Sequence, residues 1–412
     1  MGPAQDETIQ VEHDLPARPC LRVALVTETY PPEVNGVAAT LARVVDGLRH
    51  RGHQLQLVRP RQTDAETGAG ETGFAEVLVR GLSIPRYPQL KMGLPARREL
   101  QHLWAAQRPD VVHIVTEGPL GWSALQAARH LKLPVVSDFR TNFHAYSAHY
   151  GLGWLRAPVM AYLRKFHNRT HSTMVPTQLL MRELAEAGFE RLRVVARGVD
   201  TRRFTPERRS EALRAQWGAG THTLVALCVG RLAAEKNMGV VLDAAAAMRA
   251  QHPALRLVLV GDGPERARLQ QRCPDAVFSG VRHGDDLARH YASADVFLFA
   301  SMTETFGNVV PEAMASGLAV VAYDHAAAGQ LIRHGDSGLL ARMAEPSEFC
   351  GVARRAATDR TVLREMGTRA RQSVMSLDWD RIVDAVEAEY ALAIASPGQS
   401  AAVTWKPALP VG

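Results

Sequence analysis

Two carboxylates, Glu304 and Glu312, stand with seven residues between them around Gly307-Asn308-Val309-Val310, and Pro311 followed by Ala-Met-Ala reads as a first helical turn. A helix start carries unpaired N–H donors and about half a positive charge, so the backbone from Gly307 to Val310 suits a phosphate. Glu304 and Glu312 can then accept hydroxyls on the two flanks, a sugar on one and a ribose on the other. The plainer alternative is a loop acid and a helix-start Glu favoured by the macrodipole. Gly230-Arg231 and, five residues on, Lys236 offer two cations to a diphosphate. Taken alone they read as solvated loop charges. Gly261-Asp-Gly263-Pro lacks the full G-x-G-x-x-G and reads as a turn. No P-loop, H-E-x-x-H, G-x-S-x-G or aspartate cluster is present, so nothing supports an NTP hydrolase, zinc protease or serine hydrolase.

The elements that must carry these residues alternate between strand and helix. Residues 1–19 have no periodicity and are expected to be a disordered leader. Leu21-Arg-Val-Ala-Leu-Val is a strand, Asn35-Gly36-Val opens a helix with Leu41, Val44, Val45 and Leu48 at helical spacing, and Arg51-Gly52 stops it. Leu55-Gln-Leu-Val is a further strand, residues 62–75 read as a surface loop, and Val111-Val-His-Ile-Val and Val135-Val-Ser-Asp follow helix-ending prolines. Gly36, His113 and Glu117 fall at or just beyond strand carboxyl ends, where parallel sheets bind ligands. The same grammar repeats after residue 206, with strands at Leu224-Val-Ala-Leu-Cys-Val, Leu255-Arg-Leu-Val-Leu-Val, Val277-Phe-Ser-Gly, Val296-Phe-Leu-Phe and Ala319-Val-Val-Ala. The fold class is therefore α/β, with two doubly wound, Rossmann-like domains facing each other across a cleft. The expected boundaries are 20–196 and 206–377 with a hinge between, a closing helix at 378–395 that packs back across the hinge, and a loose tail at 396–412.

Composition narrows the class. At 412 residues and 46% hydrophobic the chain can bury two ordinary cores. Its four cysteines show no C-x-x-C spacing, so neither a disulfide framework nor a zinc site is indicated, which suits a reducing compartment. The polar start has no apolar signal core and no window approaches a membrane span, giving a cytoplasmic expectation. The net charge of +6 is uneven: residues 85–170 hold 12 Lys or Arg against 4 Asp or Glu.

The order Asn35-Gly36-Val, His113, Gly230-Arg-Leu-x-x-Glu-Lys-Asn237, Gly261-Asp-Gly-Pro264 and Glu304-x7-Glu312 with Ala-Met-Ala-Ser-Gly317 resembles the retaining GT-B glycosyltransferases over about residues 21–395. Within that family the opening Thr-Glu-x-x-x-Pro-x-Val-Asn-Gly-Val and Thr116-Glu-Gly-Pro-Leu-Gly121 look most like bacterial GDP-mannose-dependent mannosyltransferases and their lipid-glycosylating relatives. The resemblance implies an N-terminal acceptor domain and a C-terminal nucleotide-sugar domain. Arg231 and Lys236 would hold the donor diphosphate, helped by the backbone at Gly36 and at Asn308, Val309 and Val310, with Phe306 and Gly307 in the same loop. Glu304 would take the donor sugar, Glu312 the ribose, and the base would lie near Gly261, Gly263 and Arg282. His113 and Glu117 would lie on the acceptor side. No cofactor or metal is implied, because fixed cations can stabilise the departing diphosphate. One segment departs from the family: relatives carry a histidine in a His-Thr-Asn-Phe segment, and this chain reads Phe139-Arg140-Thr141-Asn142-Phe143-His144. Either Arg140 replaces it as a fixed cation, or His144 supplies the imidazole, or both are solvated loop residues.

The expected reaction is transfer of a hexose, mannose from GDP-mannose first, to a lipid or glycan acceptor. The alternatives are a UDP-sugar-dependent diacylglycerol glycosyltransferase, a nucleotide-sugar 2-epimerase and a non-catalytic nucleotide-sugar sensor. Trp154-Leu-Arg156 through Arg169 mixes apolar and cationic residues at near-helical spacing, which reads either as docking to an anionic membrane surface or as a core helix with a solvated edge. No nucleic-acid-binding module is present, so nucleic acid is not an expected partner.

Overall fold

A computed structural model of the chain describes residues 20–33, 35–63, 65–84, 87–140 and 156–396. The leader 1–19, His144, Trp154 and the tail beyond Ser396 lie outside the described residues. The first domain holds strands β1 (Arg22–Val26), β2 (Gln54–Pro60), β3 (Gly70–Glu71), β4 (Phe74–Val79), the hairpin β5 (Gly81–Ile84) and β6 (Tyr87–Gly93), then β7 (Val111–Ile114), β8 (Val135–Asp138), β9 (Ser172–Val175) and β10 (Leu192–Val194). Eight of these form a sheet in the order β10-β9-β8-β7-β1-β2-β4-β3, parallel except for β3. The second domain holds β11 (Val225–Val229), β12 (Arg256–Val260), β13 (Val277–Gly280), β14 (Val296–Phe299), β15 (Ala319–Tyr323) and β16 (Gly338–Ala341). Its order β13-β12-β11-β14-β15-β16 is parallel throughout. Helices cover both faces of each sheet, which is why central strands such as Val-Ala-Leu-Cys-Val are apolar without alternation.

Local chemistry sets the first helix, Gly36–His50. The Asn35 side chain accepts from the Val37 and Ala38 amides, and Leu41, Val44, Val45 and Leu48 form its buried stripe. Burying each such side chain contributes about 1.5–3 kcal/mol. That stripe meets Val383, Val386, Tyr390 and Ala393 of the helix Trp379–Ala395, which therefore belongs to the first domain's core although it follows the second domain in sequence. Arg51 clamps the same helix through Asp384 at 2.7 Å and Glu387 at 2.5 Å, and His53 bonds Glu387 at 2.7 Å. Gly198, in the segment between the two sheets, lies under the Trp379 ring, 2.8 Å from where a Cβ would sit, so a larger residue there would push the helix away.

Three expectations change. The stretch 62–75 is not wholly loop: Gly70–Glu71 pairs antiparallel with β4, which itself starts at Phe74. Strands β9, β10 and β16 are not among those expected from apolar runs. Each is three or four residues long, and position in the sheet rather than propensity makes it a strand. The helix Arg156–His167 commits Leu163 and Phe166 to the core, while Tyr162, Arg164 and Lys165 stay exposed. Leu163 and Phe166 thus serve the fold. Among the described residues no helix is long and apolar enough to cross a membrane.

Candidate active site

Two loops of the second domain are zipped together at the strand carboxyl ends. Gly230 N–H donates to the Val260 carbonyl at 2.9 Å and Leu232 N–H to the Asp262 carbonyl at 2.9 Å. Gly261 has φ +136, and a Cβ there would fall 2.0 Å from the Gly230 carbonyl oxygen, so only glycine allows this approach. Gly261 N–H reaches the Gly280 carbonyl at 2.8 Å, which brings the loop carrying Arg282 alongside; Arg282 itself is exposed and bonded to Asp286 at 3.2 Å. Beyond Arg231 the chain makes one tight turn, Ala234–Lys236, and Asn237 in the left-handed region starts the helix Met238–Arg249. That turn aims Lys236 at Glu304, and the two form an ion pair; Ser301 donates to the same Glu304 oxygen at 2.9 Å. Burial pushes the Glu304 carboxyl up, but Lys236, then the hydrogen bonds, outweigh it and hold it below the usual range. Arg231 pairs with Glu235.

The Glu304 loop differs from expectation in detail. Phe306 is a core side chain and Val310 is fully buried, so neither offers its side chain to a ligand. Gly307, at φ +89, makes the turn. The helix Val309–Ala315 begins with Pro311 in its first turn, but the Val310 N–H is already taken by the Gly307 carbonyl at 3.0 Å. The Asn308 side chain does not cap this helix; it turns to the other domain instead. Glu312 accepts from the Tyr291 hydroxyl at 3.0 Å, and burial raises its pKa to about 7.

Across the cleft, Asn308 Nδ2 donates to Thr40 Oγ1 at 3.3 Å, close to Gly36, and Thr305 Oγ1 donates to the Arg140 carbonyl at 3.1 Å. Arg43 pairs with Asp200 at 2.9 Å. Arg140 is itself held: its Nε lies 2.5 Å from Asp138 Oδ2, His113 Nε2 lies 2.9 Å from that oxygen, and His113 Nδ1 lies 2.8 Å from the Tyr390 hydroxyl. Burial would raise the Asp138 pKa, but Arg140 first and His113 next hold it at about 2. His113 is fully buried with both ring nitrogens engaged, so it positions Asp138 and does not line the acceptor side. Glu117 is also buried, bonded to His167 at 3.2 Å, and its pairing is internal. Arg197 is a residue that sequence reasoning passed over as part of the hinge. It is 6% exposed, lies between Arg140 and the Glu304 loop, and stacks 5.8 Å from the Phe306 ring centroid.

Two domain families match this chain: Glycosyltransferase Family 4 over residues 34–203 and Glycosyl transferases group 1 over residues 223–359. A GDP-mannose-dependent alpha-mannosyltransferase of Mycobacterium tuberculosis is 38% identical over 79% of this chain and 85% of its own length. The chain belongs to the group 1 glycosyltransferases. A protein of the same name from Mycolicibacterium smegmatis is 35% identical over 90% of this chain and 97% of its own. Among solved structures, a sucrose-phosphate synthase from Thermosynechococcus elongatus superposes with a TM-score of 0.76 at 18% identity, covering 91% of this chain and all (100%) of that one. The glycosyltransferase thus has the GT-B fold and is a hexosyltransferase. The motif resemblance named from the sequence holds.

Proposed function

We propose that this glycosyltransferase moves mannose from GDP-mannose to a lipid or glycan acceptor with retention at the anomeric carbon. The observation that carries the donor is the 38% and 35% identity, over most of both chains, to two proteins named as GDP-mannose-dependent alpha-mannosyltransferases. The geometry fits this reading. Arg231 and Lys236 sit on the zipped loops at the strand ends and would meet the diphosphate, as fixed cations that need not reorganise while leaving-group charge develops. Lys236 and Ser301 both bond Glu304 through Oε1, and its Oε2 would take a donor-sugar hydroxyl. Glu312, fixed by Tyr291 through Oε2, would take the ribose through Oε1. Gly36 and the amides of Gly307, Asn308 and Val309 complete the lining, without Val310. Retention follows if the acceptor hydroxyl attacks from the side the diphosphate leaves and that phosphate takes the proton. Arg140 would then stand where a cation can steady the sugar or the phosphate, held by Asp138. No metal is asked for in this scheme. The exposed Tyr162, Arg164 and Lys165 would rest on an anionic membrane surface when the acceptor is a lipid.

The test is a panel of labelled GDP- and UDP-sugars with membrane lipids as acceptors. Label moving from GDP-mannose into lipid or glycan, with an α linkage in the product, is the expected result. Transfer from a UDP-sugar alone would overturn the donor, and isomerised donor without transfer would overturn the reaction.

A further inference from the structure

Arg197 breaks a rule that the rest of the core obeys. The described buried guanidiniums of Arg59, Arg140 and Arg214 each have a carboxylate, in Glu76, Asp138 and Asp295 at 3.1, 2.5 and 3.1 Å. Arg197, equally buried, has no ion-pair partner among the described residues; its contacts are to neutral oxygens, Asn308 Oδ1 at 3.4 Å and Thr305 Oγ1 at 3.5 Å, both long for hydrogen bonds. The charges nearest it are no compensation. Arg140 repels it, and the two carboxylates that attract it are engaged elsewhere, Asp138 by Arg140 and Glu304 by Lys236. The group of Arg140, Arg197 and Lys236 with Asp138 and Glu304 therefore carries one more cation than carboxylate. Leaving a buried guanidinium uncompensated is costly, and such sites persist where a ligand supplies the missing charge. Burial and the Arg140 charge pull its pKa down to about 9, so it remains a cation at neutral pH.

Its position says which ligand. Both of its contacts are residues of the loop between Glu304 and Glu312, and it stacks on Phe306 of that loop. The same loop meets the first domain at Thr40 and at the Arg140 carbonyl. We propose that Arg197 is a third cation of the donor site, which binds the distal, sugar-bearing phosphoryl group of the nucleoside diphosphate from the hinge side while Arg231 and Lys236 hold it from the second domain. A guanidinium suits this because its fork can meet two phosphate oxygens at once. This inference rests on the reading of the site as a nucleotide-sugar site.

The test uses the full chain and the probes GDP, GMP, UDP and UMP in calorimetry, with wild type, Arg197→Gln and Arg197→Lys, and a thermal melt of each unliganded protein. For whichever nucleoside the wild type prefers, Arg197→Gln should weaken the diphosphate at least tenfold, leave the monophosphate unchanged, and leave the melting temperature equal or higher. Arg197→Lys should recover part of the diphosphate affinity. Equal loss of mono- and diphosphate binding together with a lower melting temperature would make Arg197 a structural residue and overturn the proposal, and so would unchanged diphosphate binding. A wild-type preference for UDP would count against the GDP-mannose reading alone, since the diphosphate-to-monophosphate split is read separately.

Discussion

Asp138→Asn isolates the buried relay behind the cleft. The substitution keeps the side chain's shape and removes the charge that Arg140 and His113 share, at 2.5 and 2.9 Å on one oxygen. The Arg140 guanidinium then loses its counterpart, and the oxygen that His113 Nε2 meets is no longer charged. Arg140 and Asp138 side chains are 9% and 5% exposed, so solvent screens little of the loss. Removing one partner of a buried pair costs about 3–5 kcal/mol. The depressed pKa gives a second figure: a fall from the ordinary 3.8 to about 2 is worth about 2 kcal/mol at neutral pH. We expect urea unfolding to show the variant about 2–4 kcal/mol less stable at pH 7. The sign of the pH dependence is set by the direction of the shift. A depressed folded pKa contributes stability fully present above 3.8 and lost as pH falls through about 2. The gap between wild type and variant should therefore narrow by about 2 kcal/mol between pH 5 and pH 2. Because the Arg140 carbonyl accepts from Thr305 across the cleft, transfer from the donor should slow as well. Equal unfolding midpoints at pH 7, or a gap that ignores pH, would refute the relay.

Lys236→Ala should lower the transfer rate by about 10²–10³-fold, on the order of losing one preorganised donor to developing charge. It should also destabilise the unliganded protein by stranding Glu304; adding Glu304→Gln should restore the melting temperature but not the rate, and recovery of both would sink the donor-site assignment. Glu312 has a folded pKa raised to about 7, so the stability tied to its protonated form is full below about 4.5 and lost as pH rises through about 7. Glu312→Gln should be more stable than wild type at pH 8, by up to about 3 kcal/mol, and indistinguishable at pH 4; melts that run parallel across that range would contradict the burial argument.

Much of this protein is set by its sequence alone, and the reason is that the deciding signals are local. Apolar runs of strand length, the Leu41-Val44-Val45-Leu48 stripe, and helix stops such as Arg51-Gly52 report the alternation of a doubly wound fold within a few residues of themselves. The order of Gly230-Arg231, Lys236, Gly261 and Glu304 to Glu312 was likewise enough to identify the family, because each motif is a short loop at a strand end. Tertiary structure decided the pairing of buried polar groups. His113 looks like a cleft residue by its place on β7, but its partners, Asp138 and Tyr390, are 25 and 277 residues away, and the second arrives on the closing helix. Phe306 and Val310 share a loop with Glu304, yet packing on β14 and its neighbours turns their side chains inward. Arg197 reads in sequence as one more linker charge. Its isolation emerges only when Asn308 and Thr305, 111 and 108 residues on, close over it with neutral oxygens, because charge compensation in a core depends on every chain segment that reaches it and on none alone.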